Sequence, residues 1–91
     1  MLIDEPLWPA HGTLFAHLVS DASLEELHAF ARQAGIPFRA FDLDHYDVPA
    51  HRHASLVESG ALLVTRREFV VRLRASGLRV SARDRREATA A

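Results

Sequence analysis

The sequence contains neither cysteine nor lysine, and each absence excludes a class of site. Without cysteine there can be no disulfide, no thiolate nucleophile and no cysteine-ligated zinc, and this composition fits a cytoplasmic protein. All 11 basic residues are arginine, which excludes a lysine Schiff base and the phosphate-binding lysine of a P-loop. Site chemistry is therefore left chiefly to six histidines, the acids and the arginines.

Long hydrophobic runs are also missing, since no apolar segment approaches the roughly 20 residues that a membrane span needs. We therefore expect no membrane association. The sequence has no G-x-S-x-G, G-x-G-x-x-G or Walker A motif and no recognisable helix-turn-helix. Serine hydrolase, dinucleotide-dependent and sequence-specific DNA-binding functions thus have no support from a motif.

The size of the chain indicates one domain. Its 91 residues are 48% hydrophobic and 25% charged, which is typical of a soluble globular protein. We expect a single α/β domain over residues 1–81 and a disordered, Arg-rich tail over residues 82–91, where apolar anchors are missing. A chain this short buries a modest fraction of its surface, so a homodimer is the default expectation.

The net charge of −1 is distributed unevenly. Residues 1–60 hold nine acids and three arginines, whereas residues 61–91 hold eight arginines and three acids. The basic part would attract the acidic part or hold a phosphate group. The alternative is a solvated, Arg-rich helix face and tail.

Three amphipathic helices alternate with short apolar strands. Capping boxes (S-L-E-E and T-R-R-E) begin the first and third helices, and a glycine ends each of the three. The helices are expected over residues 23–35, 47–60 and 65–77, and the strands over residues 1–3, 38–43, 61–64 and 78–80. This alternation predicts an α/β fold with a small, mainly parallel sheet of three or four strands and three helices. Right-handed crossovers favour the strand order 2-1-3-4.

Two segments rich in aspartate and histidine follow the first two predicted strands. The first is a connection from Asp4 to Leu18, which is longer than the 2 to 6 residues that such loops usually need. It contains Trp8 between two prolines. The second segment runs from Asp42 to Pro49. Because ligands bind beyond the carboxyl ends of parallel strands, we expect the two segments to converge on one site.

The histidines and acids of these segments are candidate metal ligands. Mixed imidazole and carboxylate donors suit Zn, Mn, Fe or Ni better than Mg or Ca. The spacing matches no standard metal motif; the alternative is that the histidines hydrogen-bond the backbone of a long loop. The candidate ligands are Asp4, His11, His17, Asp42 and Asp44.

His45 and Asp47 are the candidate catalytic acid and base, because a histidine beside carboxylates titrates near neutral pH. The alternative is a turn in which Asp47 caps the second helix. Trp8 and Tyr46 are candidate ligand-binding aromatics, although Trp8 would equally plug the sheet edge. His28, on the inner edge of the first helix, is expected to be structural.

Four motifs in these segments resemble a bacterial family of short, uncharacterised proteins, a domain of unknown function. The shared patterns are W-P-x-H-G, H-L-x-S-D, E-L-H-x-F-A and H-Y-D-V-P. In this sequence they occupy residues 8–12, 17–21, 26–31 and 45–49, and the resemblance continues to about residue 80. The resemblance implies that these residues act as one unit, and it assigns them no activity.

A looser similarity links the chain to PIN-like nucleases, in which aspartates end neighbouring strands. Asp4 and either Asp42 or Asp44 match that arrangement, but Arg66 stands after Thr65 where those nucleases usually have an aspartate. The function expected from the sequence is a metal-assisted hydrolase or nuclease-like enzyme acting on a phosphate-bearing substrate. The alternative is a non-catalytic binding or regulatory module for an anionic ligand or a partner protein.

Overall fold

The computed structural model describes residues 1–81 and Arg83. These residues form three α-helices, one short 3-10 helix and a sheet of six strands. The strands are β1 (Leu2–Ile3), β2 (Trp8–Ala10), β3 (Thr13–Val19), β4 (Phe41–Asp42), β5 (His45–Pro49) and β6 (Leu62–Leu63). The helices are α1 (Leu24–Gln33), α2 (Ala50–Glu58) and α3 (Arg66–Ser76), and the 3-10 helix is Phe38–Ala40. The α/β class and the number of helices are as predicted, but α2 begins at Ala50 and not at residue 47, because residues 47–49 belong to β5.

Local signals in the sequence set the helix ends. The Ser23 side chain accepts a hydrogen bond from the Glu26 amide at 3.1 Å, and Thr65 accepts one from the Glu68 amide at the same distance. These are the two capping boxes of the sequence, and each satisfies a backbone N–H that the first helical turn leaves unpaired. Helix α3 ends at Gly77, which has a left-handed φ of 77° that glycine adopts without strain.

The sheet is mixed and larger than predicted. Its order is β4-β5-β3-β1-β6, with β2 paired to β3, and only the β1–β6 pair is parallel. The expected order 2-1-3-4 in a mainly parallel sheet is therefore right only for the first and third predicted strands, which pair in parallel as β1 and β6, and it is wrong for the others. The predicted fourth strand at 78–80 is not a strand, and the predicted second strand, 38–43, is a 3-10 turn followed by β4.

A hairpin explains most of this difference. The long connection after β1 folds back on itself as β2 and β3, joined by the two residues His11 and Gly12. Both have positive φ, 48° and 78°, as a type I′ hairpin turn requires. Strand β3 then pairs with β1 on one side and with β5 on the other, separating the strands that were expected to be neighbours.

The two faces of the sheet carry different cores. Side chains alternate along a strand, so Ala16 and Leu18 of β3 face one side while His17 and Val19 face the other. The first side packs against α1 and α2, with Leu27 and Leu56 in its core. The second side packs against α3 through a smaller cluster of Leu2, Val19, Val64, Phe69 and Leu73. Polar residues of β3 and β5 share this second side, beside α3. No helix among the described residues is long and apolar enough to cross a membrane.

Candidate functional site

Two central strands place three polar side chains on the α3 side of the sheet. His17 of β3 lies directly opposite Asp47 of β5 in the antiparallel register. His45 is two residues before Asp47, so it points to the same face. The rings of His17 and His45 meet edge-on, with centroids 4.9 Å apart. The sequence alternation of β5 therefore brings a second histidine and a carboxylate to His17.

Asp4 fixes the orientation of His17. The carboxylate of Asp4 accepts a hydrogen bond from the His17 amide at 2.6 Å and lies 2.9 Å from the Nδ1 atom of the same residue. Asp4 is 5% exposed, so its charge is removed from bulk water and held by these contacts. An ionised carboxylate accepts, so Nδ1 of His17 carries the hydrogen and Nε2 keeps its lone pair when the ring is neutral.

Asp44 fixes the orientation of His45 in the same way. Its Oδ1 atom lies 2.7 Å from Nδ1 of His45, and its Oδ2 atom accepts a hydrogen bond from the Val80 amide at 2.8 Å. Asp44 is also 5% exposed. On the other side of the ring, Nε2 of His45 lies 3.0 Å from Oδ1 of Asp47, whose side chain is 45% exposed. The segment after α3 thus contributes a backbone donor to the site.

The pKa of His45 reflects these neighbours. Burial lowers the pKa of the ring, but the hydrogen bonds to Asp44 and Asp47 and the charges of the two carboxylates together raise it, to about 9. In the free protein at neutral pH, His45 is therefore an imidazolium that donates to a carboxylate from each nitrogen.

A hollow of about 360 Å³ opens beside these side chains. Its polar lining residues are Asp4, His17, Asp44 and His45. Trp8, apolar residues of α3, Arg66 and Arg79 also line it. The Trp8 ring lies 5.2 Å from the His17 ring, and the Arg66 guanidinium lies 4.4 Å from the Trp8 ring centre, a cation–π contact.

Three of these residues could hold a metal ion together. His17, His45 and Asp47 each offer one ligand atom, and the three atoms lie within 4.8 Å of one another. Two ligands of one tetrahedral ion at ordinary bond lengths are about 3.4 Å apart, so side-chain adjustments of about 1 Å would suffice. Metal-binding histidines usually give their other ring N–H to a carboxylate or carbonyl, and here Asp4 and Asp44 stand in that position.

Most of the residues singled out in the sequence lie in this cluster. The residues that the structure brings together are Trp8, Asp4, His17, Asp44, His45 and Asp47. His11 lies elsewhere, exposed at the hairpin turn beside a separate shallow hollow. Asp42 lies opposite His45 in the β4–β5 pair but is exposed and outside the lining of the hollow. Tyr46 is buried on the other face of the sheet.

Arg66, Arg79 and Val80 also belong to the site, although the sequence does not predict them as site residues. Arg66 directly follows Thr65 and therefore lies in the first turn of a helix that follows a sheet strand. That position is a usable signal, because the start of such a helix lies at the sheet edge where β6 ends. Arg79 and Val80 carried no signal, since they reach the site only through the path of the chain after Gly77.

Comparison with known proteins identifies a family but assigns it no function. No curated protein and no solved structure matches the chain. The family model for proteins of unknown function DUF4031 matches residues 1–76, which confirms the resemblance to a family of uncharacterised proteins. The chain therefore belongs to the DUF4031 family of proteins of unknown function.

Proposed function

We propose that this protein is a small metal-assisted hydrolase whose substrate carries a phosphate group. One observation carries the proposal: two histidines meet beside an accessible carboxylate, and each has a buried aspartate on its Nδ1 atom. This arrangement presents both Nε2 atoms as ligands and fixes the direction of each ring. A structural role for His17 or His45 alone would not require a separate buried carboxylate for each ring.

The donor set favours a transition metal. Two imidazoles and one carboxylate suit Zn, Mn, Fe or Ni, and three protein ligands leave a position open for water or substrate. His45 would bind a cation in place of the hydrogen that now lies between its Nε2 atom and Asp47. Binding would therefore release a proton, and affinity would rise with pH.

The surrounding side chains fit a phosphate ester. A metal ion held here would supply Lewis-acid chemistry and make water a better nucleophile. Arg66 and Arg79 line the same hollow and offer guanidinium donors to phosphate oxygens. Trp8 and Phe69 would pack against the apolar part of the ester and exclude water from it. Asp4 and Asp44 would hold the two rings still while this happens.

The test uses protein purified without a histidine tag. Titration calorimetry with Zn²⁺, Mn²⁺, Fe²⁺ and Ni²⁺, backed by elemental analysis, should give about one ion per chain. The variants His17→Gln and His45→Gln should each weaken binding by at least roughly tenfold. The matched control is His11→Gln, which removes an exposed histidine outside the cluster and should bind as the natural chain does.

Activity is measured on the metal-loaded protein with para-nitrophenyl phosphate and bis(para-nitrophenyl) phosphate, a monoester and a diester. We expect hydrolysis that is lost with a chelator and with either histidine variant. The absence of stoichiometric metal binding together with the absence of hydrolysis would rule the proposal out.

A second candidate is a non-catalytic module that binds an anion. The observation that favours it is the pair Arg66 and Arg79, which line the hollow beside His45. In that case inorganic phosphate should bind the metal-free protein, and Arg66→Gln should weaken this binding while no ester is hydrolysed. Binding with and without chelator therefore separates the two functions.

A further inference from the structure

We infer a second binding site, on the opposite face of the sheet, for a planar aromatic ring that carries an anionic group. It is a hollow of about 390 Å³ between α1, the 3-10 helix and β5. Its lining includes His28, Arg32, Phe38 and Tyr46. The inference does not rest on the proposed function, because Tyr46 faces away from His45 and Asp47 and the sheet separates the two hollows.

An exposed aromatic platform forms one wall. The Phe38 side chain is 70% exposed, which is unusual for a ring of this size in a soluble domain. It lies nearly parallel to Phe41, with centroids 5.8 Å apart and an angle of 27° between the rings. The 3-10 helix holds Phe38 in place, and Phe41 supports it at the start of β4. A second planar ring would stack on such a platform and remove apolar surface from water.

His28 supplies a directed polar group beside this platform. Its ring lies 5.5 Å from Phe38 and 4.6 Å from Phe41, and its Nδ1 atom lies 2.8 Å from the hydroxyl of Tyr46. The phenol of Tyr46 carries a hydrogen that it can donate to Nδ1. A neutral His28 then carries its own hydrogen on Nε2, for which no hydrogen-bond partner exists among residues 1–81 and Arg83.

Arg32 supplies the positive charge. It follows His28 by one helical turn, so both side chains lie on the same side of α1. No carboxylate within the described part of the chain lies within 4.0 Å of its guanidinium. An arginine at the rim of an aromatic hollow, without an acidic partner there, favours a ligand that brings its own anionic group.

Together these contacts define the ligand class. The ring would stack on Phe38, the anionic group would pair with Arg32, and Nε2 of His28 would donate to a polar atom of the ligand. Nucleoside monophosphates and aromatic carboxylates share this chemistry. The test therefore uses adenosine monophosphate and 4-hydroxybenzoate as complete probes. Two further probes are incomplete: adenosine lacks the anionic group, and inorganic phosphate lacks the aromatic ring.

The experiment follows amide resonances of the isotope-labelled full chain in chelator during titration with each probe. At least one of the two complete probes should give saturable shifts centred on residues 28–46, and adenosine and phosphate should bind more weakly. Because stacking and ion pairing each contribute to affinity, Phe38→Ala and Arg32→Gln should each weaken binding roughly tenfold. Arg39→Gln is the matched control, since Arg39 is exposed on the same 3-10 helix but does not line the hollow.

Four outcomes would overturn the inference. The first is the absence of saturable shifts with both complete probes. The second is binding that Phe38→Ala and Arg32→Gln leave unchanged. The third is a set of shifts centred on His17 and His45, which would place the ligand in the other hollow. The fourth is self-association that Phe38→Ala abolishes in sedimentation, because the platform would then be covered by a second copy of the chain.

Discussion

The ring of His17 meets the ring of His45 edge-on across two antiparallel strands, with their centroids 4.9 Å apart. Each ring is held by a different buried acid, Asp4 for the first and Asp44 for the second. Two histidines this close would repel each other if both were charged. The buried acids offset that repulsion and keep the pair together on the α3 side of the sheet.

Replacing Asp4 by asparagine tests this support. The amide offers one oxygen and one NH₂ group, so the two charge-assisted hydrogen bonds from the backbone and the ring of His17 cannot both be kept, and an N–H group faces Nδ1. We expect the free energy of unfolding, measured in urea, to fall by about 1 to 3 kcal/mol. Zinc affinity should fall roughly 10- to 100-fold, because the ring loses its orientation. Glu5→Gln, at the exposed neighbouring position, should change neither quantity.

The stability of the metal-free protein should depend on pH through His45. Its pKa is about 9 in the folded protein and near 6.5 in the unfolded chain. The folded state therefore binds the proton more tightly. The resulting stabilisation is complete below about pH 6.5 and is lost as the pH rises through about 9. Its upper limit is on the order of 3 kcal/mol for a shift of this size.

Urea unfolding in chelator at intervals from about pH 6 to 10 measures this dependence. His45→Gln should be less stable at neutral pH and should remove most of the slope between about pH 6.5 and 9. Equal stability of the natural chain across this range would contradict the ion pairs of His45 with Asp44 and Asp47. His51→Gln, on the exposed side of α2, is the control and should keep the slope.

Helix positions were predictable from the sequence because their signals are local. The capping boxes at Ser23 and Thr65 act within four residues and need no knowledge of the sheet. The strands depended on pairing between distant segments. His45, Tyr46, Asp47 and Val48 form a period-two pattern, but Pro49 favours a helix start, so the sequence predicts a helix from residue 47 where the structure has β5.

The composition of the candidate site was easier to predict than its geometry. Density of aspartate and histidine identified the two segments, and both contribute to the cluster. The hairpin determines which histidine of the first segment lies beside the second segment. A two-residue turn at His11 and Gly12 sends His11 to the tip and brings His17 back beside β1 and β5. Without knowledge of the hairpin register, the sequence gives no reason to prefer His17 over His11 as the residue beside β5.

The hairpin turn makes a prediction of its own. His11 has a φ of 48°, a left-handed conformation that asparagine adopts more readily than most residues, and Asn-Gly is a favoured pair in type I′ turns. His11→Asn should therefore raise the free energy of unfolding by about 0.5 kcal/mol, whereas the β-branched His11→Val should lower it. Thermal and urea unfolding measure both effects. Metal affinity should stay unchanged in His11→Asn. A loss of metal affinity in this variant would indicate that His11 is a metal ligand.

The last prediction concerns the end of the chain. The expected disordered tail, residues 82–91, falls outside the described residues except for Arg83. Ending the chain after Ser81 should leave the melting temperature nearly unchanged, because the removed residues have no apolar anchor. Ending it after Gly77 removes the Val80 amide from Asp44 and the Leu78 side chain from the α3 core.

The shorter chain should therefore melt several degrees lower, since about 1 kcal/mol corresponds to roughly 4 to 8 °C in a domain of this size. Zinc titration of both truncated chains adds a second measurement, because Asp44 holds His45 while it accepts from Val80. Metal affinity should drop only in the chain that ends after Gly77. A loss of several degrees on removal of residues 82–91 alone would mean instead that the Arg-rich tail docks on the domain.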